Sequence, residues 1–120
     1  MIVGFVFAGV LGVSSTEAFA MASKGSSLVA FHTDANTYSK NATTIDVIGV
    51  SPNSNPISVE LYKKGDSKFY KCINVYKRGS YKVSFSLKGL KAGQYDVWVN
   101  GSWGSNWYRA ELQHYLTVQR

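Results

Sequence analysis

A single cysteine, seven acidic side chains and no apolar run of membrane-spanning length are what this chain has little of, and each shortage excludes something. With Cys72 alone, no internal disulfide can form, so packing has to hold the fold together. No lipobox cysteine stands at the end of the N-terminal apolar run either, so a lipid anchor is not expected. Free cysteine is among the most buried residue types, and Cys72 is expected to be a small core hydrophobe rather than a thiol for an intermolecular bridge.

Acidic residues are equally sparse. Asp34, Asp46, Glu60, Asp66, Asp96 and Glu111 are spread singly, so nothing local prefigures the paired carboxylates of a glycosidase. A nucleophile–base pair would have to join Cys72 to His32 or His114, and a lone cysteine among lysines and tyrosines shows no nucleophile signature. His32 and Asp34 fall on one side of a strand, too few for a metal centre, and Asp34-Ala35-Asn36 lacks the glycine and distal glutamate of a calcium loop. His32 reads as a strand-end surface residue and His114 as half-buried. The expectation is no catalytic residue, no metal ligand and no cofactor.

The apolar run Ile2 to Val13 stops short of the roughly twenty residues that cross a bilayer, and Glu17 follows soon after. Ala18-Phe19-Ala20 then supplies the small side chains that signal peptidase needs one and three positions before the cut. Residues 1–20 therefore read as a signal peptide. The mature chain starts at Met21, or at Ser23 if Ala20-Met21-Ala22 is the register used. No Lys or Arg precedes Lys24, so the α-amino group has to supply the usual positive charge unless the true start lies upstream of Met1. With no hydrophobic C-terminal tail or sorting signal, the product is expected to be secreted, or held at a cell surface by non-covalent contacts, as a monomer with no transmembrane segment.

Residues 21–120 have the length of one domain, enough to bury something over 60% of the unfolded surface. Apolar residues recur every second position between short turns, the period of half-buried strands. Strands are expected at Leu28–Thr33, Thr43–Val50, Ile57–Tyr62, Phe69–Tyr76, Tyr81–Leu87, Tyr95–Asn100 and from Trp107 onward, the last with a bulge near His114. Ser51 to Pro56 is a loop by composition. Seven short antiparallel strands with no repeat make an all-β, two-sheet sandwich.

Gly89-Leu90-Lys91-Ala92-Gly93-Gln94-Tyr95-Asp96-Val97-Trp98-Val99 resembles the Leu-x-x-Gly-x-Tyr-x-Val turn and strand of bacterial immunoglobulin-like and fibronectin type III-like domains. The resemblance covers about a tenth of the chain. It implies an immunoglobulin-like sandwich in which the Tyr95 hydroxyl bonds back to the preceding backbone, and a domain that binds or spaces other modules. The Cys…Trp…Cys signature of true immunoglobulin domains is absent.

Loss of residues 1–20 removes Glu17 and leaves thirteen basic against six acidic residues. Between Lys63 and Lys91 stand Lys63, Lys64, Lys68, Lys71, Lys77, Arg78, Lys82, Lys88 and Lys91, with Asp66 as the sole acid. A surface kept soluble by charge alone would mix both signs. The segregation points to a cationic sheet face, represented by Lys71, Lys82 and Lys88, that meets an anionic polymer, with peripheral contact to anionic lipid. The plainer reading is a solvated cationic face.

The second binding signal is aromatic. Trp98 falls on the polar side of its strand, while Trp103 and Trp107 flank Gly104-Ser105-Asn106 in what reads as a Gly-rich loop from Gly101 to Asn106. Trp103, between Gly-Ser pairs, is expected to be the most exposed ring and Trp107 intermediate. Tyr62 joins them if the third and sixth strands are neighbours. Flat rings among Asn, Ser and Gly suit stacking on pyranose faces, whereas packing at the sandwich end is the plainer role for tryptophan. Asn41-Ala42-Thr43 and Asn100-Gly101-Ser102 are glycosylation sequons only in a eukaryotic source. The expected function is a secreted, non-enzymatic protein that binds an anionic or glycan component of a cell envelope. The alternative is a secreted antagonist, either an antimicrobial protein acting on anionic membranes or an inhibitor of a secreted enzyme.

Overall fold

Alternation of apolar and polar residues governs the architecture throughout residues 20–120, which a computed structural model describes. The segment expected to be a signal peptide lies, apart from Ala20, outside the described residues. The elements are β1 (Met21–Gly25), a single 3-10 turn (Ser27–Val29), β2 (Phe31–Thr33), β3 (Thr37–Tyr38), β4 (Thr44–Ser51), β5 (Ile57–Lys63), β6 (Lys71–Val75), β7 (Gly79–Ser86), β8 (Gly93–Trp103), β9 (Asn106–Leu112) and β10 (Leu116–Val118). The fold is all-β, and ten strands replace the expected seven. Two of the extra strands, β1 and β3, are short and show no run of alternation in sequence. The third arises because the last segment breaks at 113–115 instead of bulging. The expected first strand also begins later, since Leu28 and Val29 belong to the 3-10 turn that Ser26 caps by accepting from the Leu28 amide at 3.2 Å.

One layer has the antiparallel order β2–β4–β7, with β4 and β7 in register over eight pairs from Thr44↔Ser86 to Ser51↔Gly79. The other has β6–β5–β8–β9, with β8 pairing β5 over seven positions and β9 over six. β10 pairs the start of β8 and carries β3 in parallel. β1 joins the layers, because Met21 and Ala22 pair with β2 while Ser23 to Gly25 pair with β9.

Inward residues of both layers form one core: Ile45, Val47, Phe85 and Leu87 against Ile57, Val59, Leu61, Tyr95, Val97 and Val99, all at most 2% exposed. Each such side chain contributes about 1.5–3 kcal/mol through burial. The Tyr95 hydroxyl donates to the Lys91 carbonyl at 2.7 Å, which fixes the turn before β8. Among the described residues no helix is long and apolar enough to cross a membrane.

Candidate functional site

The face of β6–β5–β8–β9 that points away from the core carries what the core excluded. Strand parity puts Ser58, Glu60 and Tyr62 of β5 beside Asp96, Trp98, Asn100 and Ser102 of β8. Trp107, Arg109 and Glu111 of β9 follow, through the pairs Glu60↔Trp98, Asn100↔Arg109 and Ser102↔Trp107. β6 adds Cys72 opposite Glu60 and Asn74 opposite Ser58.

These side chains brace one another. The Arg109 guanidinium lies 4.1 Å from the Trp98 ring centre and 4.4 Å from that of Trp107, so one cation is held between two indoles. Trp98 meets Tyr62 on its other side, at 4.2 Å between ring centres, and Phe69 packs edge-on against Tyr62 at 6.4 Å. Arg109 Nε donates to Asn100 Oδ1 at 2.7 Å, and Asn100 Nδ2 donates to Glu60 Oε1 at 2.8 Å. Glu60 Oε1 also accepts from the Tyr62 hydroxyl at 3.0 Å. Trp98 Nε1 donates to Asp96 Oδ2 at 2.9 Å, while Asp96 Oδ1 accepts from the Val97 and Leu112 amides. Burial holds the Asp96 carboxyl above its ordinary value, outweighing those three bonds. Burial, helped by Glu60, raises Tyr62 and Cys72 in the same way.

At the far end of this band Trp107 stands 60% exposed, one ring face against Arg109. Beside it lies an open groove of about 380 Å³ lined by Pro56, Ile57, Ser58, Asn74, Asn100, Gly101, Ser102 and Trp107, none of them charged. Its lining offers amide and hydroxyl groups with a ring at one side.

Of the residues singled out in sequence, the structure gathers Tyr62, Trp98 and Trp107 on this face and separates the rest. Tyr62 is buried beneath Trp98 and Phe69, so it supports the band and offers no open ring. Trp103 is the clear correction. It is half-buried on the inner side, stacked on Tyr108 at 4.6 Å and packed against the core, and Trp107 is the exposed ring. The supposed loop from Gly101 is a continuation of β8, turned only at Gly104 and Ser105, with Gly104 at φ +62°.

The cationic residues do not share one sheet face. Lys82 points outward from β7 and lies 3.9 Å from Asp46. Lys71 is half-buried on the inward parity of β6 and donates to the Ser86 carbonyl at 3.1 Å, bridging the open edges of the two layers. Lys88 is exposed in the turn after β7. Cys72 is half-exposed on the outer face instead of buried, because its position has the parity of Glu60 rather than Val59. His114 is exposed, since the strand it was assigned to ends at Leu112; His32 is exposed on β2. Asn100 is half-buried within its hydrogen bonds. Among the described residues, no three His, Cys, Asp or Glu side chains gather in a way that could hold a metal ion.

Arg109 was missed in sequence. Its cue was parity, two residues beyond Trp107 on the same strand, but its contacts run across the β8–β9 register, which sequence alone did not supply.

Residues 35–106, more than half of the chain, match the family model of the ORF11 beta-sandwich domain, and the chain belongs to that family. No curated protein and no solved structure matches it. The matched region runs from β3 to the first residue of β9 and stops just before Trp107.

Proposed function

We propose that this domain is a non-enzymatic binding module for a glycan, and that the site is the groove beside Trp107. The observation that carries the reading is an exposed indole, held by Arg109, next to an uncharged groove rich in Asn and Ser. A pyranose presents an apolar face and a rim of hydroxyls; Trp107 suits the first, and Asn74, Ser58 and Ser102 suit the second. A groove of about 380 Å³ falls in the range of small-ligand sites. The braced band behind it keeps the ring from collapsing onto the sheet, which lowers the ordering cost of binding. The proposal keeps the reading of an exported protein whose ligand belongs to a cell envelope, and moves the glycan contact from Trp103 to Trp107. Strand order β2–β4–β7 against β6–β5–β8–β9, with the Tyr95 hydroxyl bonded to Lys91, supports counting the sandwich as immunoglobulin-like.

The test is a polysaccharide and glycan-array screen of the wild type and Trp107→Ala, with a thermal melt of each. Trp107→Ala should abolish most glycan retention while shifting the melt little, because surface substitutions usually change stability by less than about 0.5 kcal/mol. Retention of the same glycans by the variant, or no glycan bound by the wild type, would overturn the reading.

A further inference from the structure

A second surface lies at the opposite end of the same sheet. β5 ends at Lys63, β6 begins at Lys71, β7 ends at Ser86 and β8 begins at Gly93, so the connections 64–70 and 87–92 come together there. The bonds from the Lys64 amide to the Gln94 carbonyl and from Lys71 to Ser86 tie them. β10 reaches this level, with Leu116 opposite Tyr95, which brings in the preceding Tyr115, whose ring lies 5.0 Å from Lys64 Nζ. Lys63, Lys64, Lys68, Lys71, Lys88 and Lys91 therefore share one end with Asp66 as the acid among these connections. Three rings stand exposed among them: Phe69 at 49%, Tyr70 at 55% and Tyr115 at 43%.

We propose that this end docks on the surface of an anionic phospholipid bilayer. Two features choose that partner. The charge is of one sign, as attraction to anionic headgroups requires. Exposed Phe and Tyr side chains interleave with the lysines, and such rings settle at the headgroup boundary, whereas a soluble phosphate polymer gives an apolar ring nowhere to go. The surface is separate from the Trp107 groove and does not rest on glycan binding.

The test is flotation of the protein beginning at Met21, the expected mature start, with vesicles of phosphatidylcholine alone and with vesicles carrying about a third phosphatidylglycerol, at low and high salt. The excess binding to anionic vesicles over neutral ones is the readout. The wild type should bind the anionic vesicles at least about tenfold more tightly than neutral ones, and salt should erase most of the difference. The combined variant Lys64→Glu, Lys68→Glu, Lys88→Glu, Lys91→Glu should lose that preference, while Lys82→Glu on β7 and Trp107→Ala should keep it within about twofold. Phe69→Ser with Tyr70→Ser, which leaves every charge in place, should weaken anionic binding several-fold, and it covers the case of a charge variant that fails to fold. Equal binding to both vesicle types overturns the proposal. So does undiminished binding by the Phe69 and Tyr70 variant when soluble polyphosphate competes as well as vesicles do, because that pattern describes a polymer site.

Discussion

Gly101 and Trp103 show how a single missing Cβ relocates a ring. Val97, Val99, Gly101 and Trp103 share the inward parity of β8, and Trp103 folds back over Gly101 to reach Tyr108 and the core. A Cβ built on Gly101 would run into Trp103 Cζ3 and lie 3.2 Å from Ile57 Cγ2, so the glycine makes room for the indole. The two-residue period was present in sequence, but Gly-Ser composition on both sides of Trp103 argued for a loop and outweighed it. Gly101→Ala should cost about 1–3 kcal/mol through overpacking. Since that clash needs the ring, Gly101→Ala added to Trp103→Ala should cost much less than it does alone. Denaturant melts of the two single variants and the double variant measure this, and strict additivity would show that the ring does not occupy the space above Gly101.

Among the elements, β8 organises the site. Its eleven residues pair β5 along one edge, and β10 then β9 along the other, so Tyr62, Trp98, Asn100, Trp107 and Arg109 all lie on β8 or one strand away. The adjacency of Tyr62 and Trp98 was legible because β5 and β8 alternate cleanly and sandwich topology makes them neighbours. The division of the last segment was not, because the alternation of Leu112, Leu116 and Val118 runs past a break held by long-range bonds. One of these is the Leu112 amide donating to Asp96 Oδ1 at 3.2 Å. Burial keeps the Asp96 carboxyl above its ordinary value of 3.8, so the folded protein holds this proton where the unfolded chain has lost it. Its favourable contribution is then full below 3.8 and declines as pH rises through the raised value, after which it is constant. Melts of the wild type and Asp96→Asn from about pH 3 to pH 7 should show the wild type losing ground to the variant across that window. A wild type that gains on the variant as pH rises would mean that the three hydrogen bonds outweigh burial.

At the scale of the whole molecule, the two proposed surfaces lie at opposite ends of β8. From Gly93 to Ser102 is roughly 30 Å of extended strand, so a domain resting on its lysine end would hold the Trp107 groove about that far from the surface. Composition made both the excess of charge and the aromatics legible, but not their partition. The expected cationic face splits because β6 and β7 are open edges of different layers, and Lys71 reaches across that gap to the Ser86 carbonyl. Layer closure also bears on where the mature chain begins. Met21 is 8% exposed and pairs with Thr33, and Ala22 pairs with His32, so these two residues carry the β1 contact to the β2 layer. Cleavage after Ala22 would remove both, whereas cleavage after Ala20 leaves β1 whole. Intact-mass measurement and N-terminal sequencing of protein recovered from the medium should therefore give Met21. A chain engineered to start at Ser23 should melt lower, by an amount corresponding to about 1.5–3 kcal/mol for the lost burial of the methionine. Secreted material beginning at Ser23 with an unchanged melt would show that β1 does not need its first two residues, and retention of Met1 on membrane-bound protein would replace the signal peptide by an anchor.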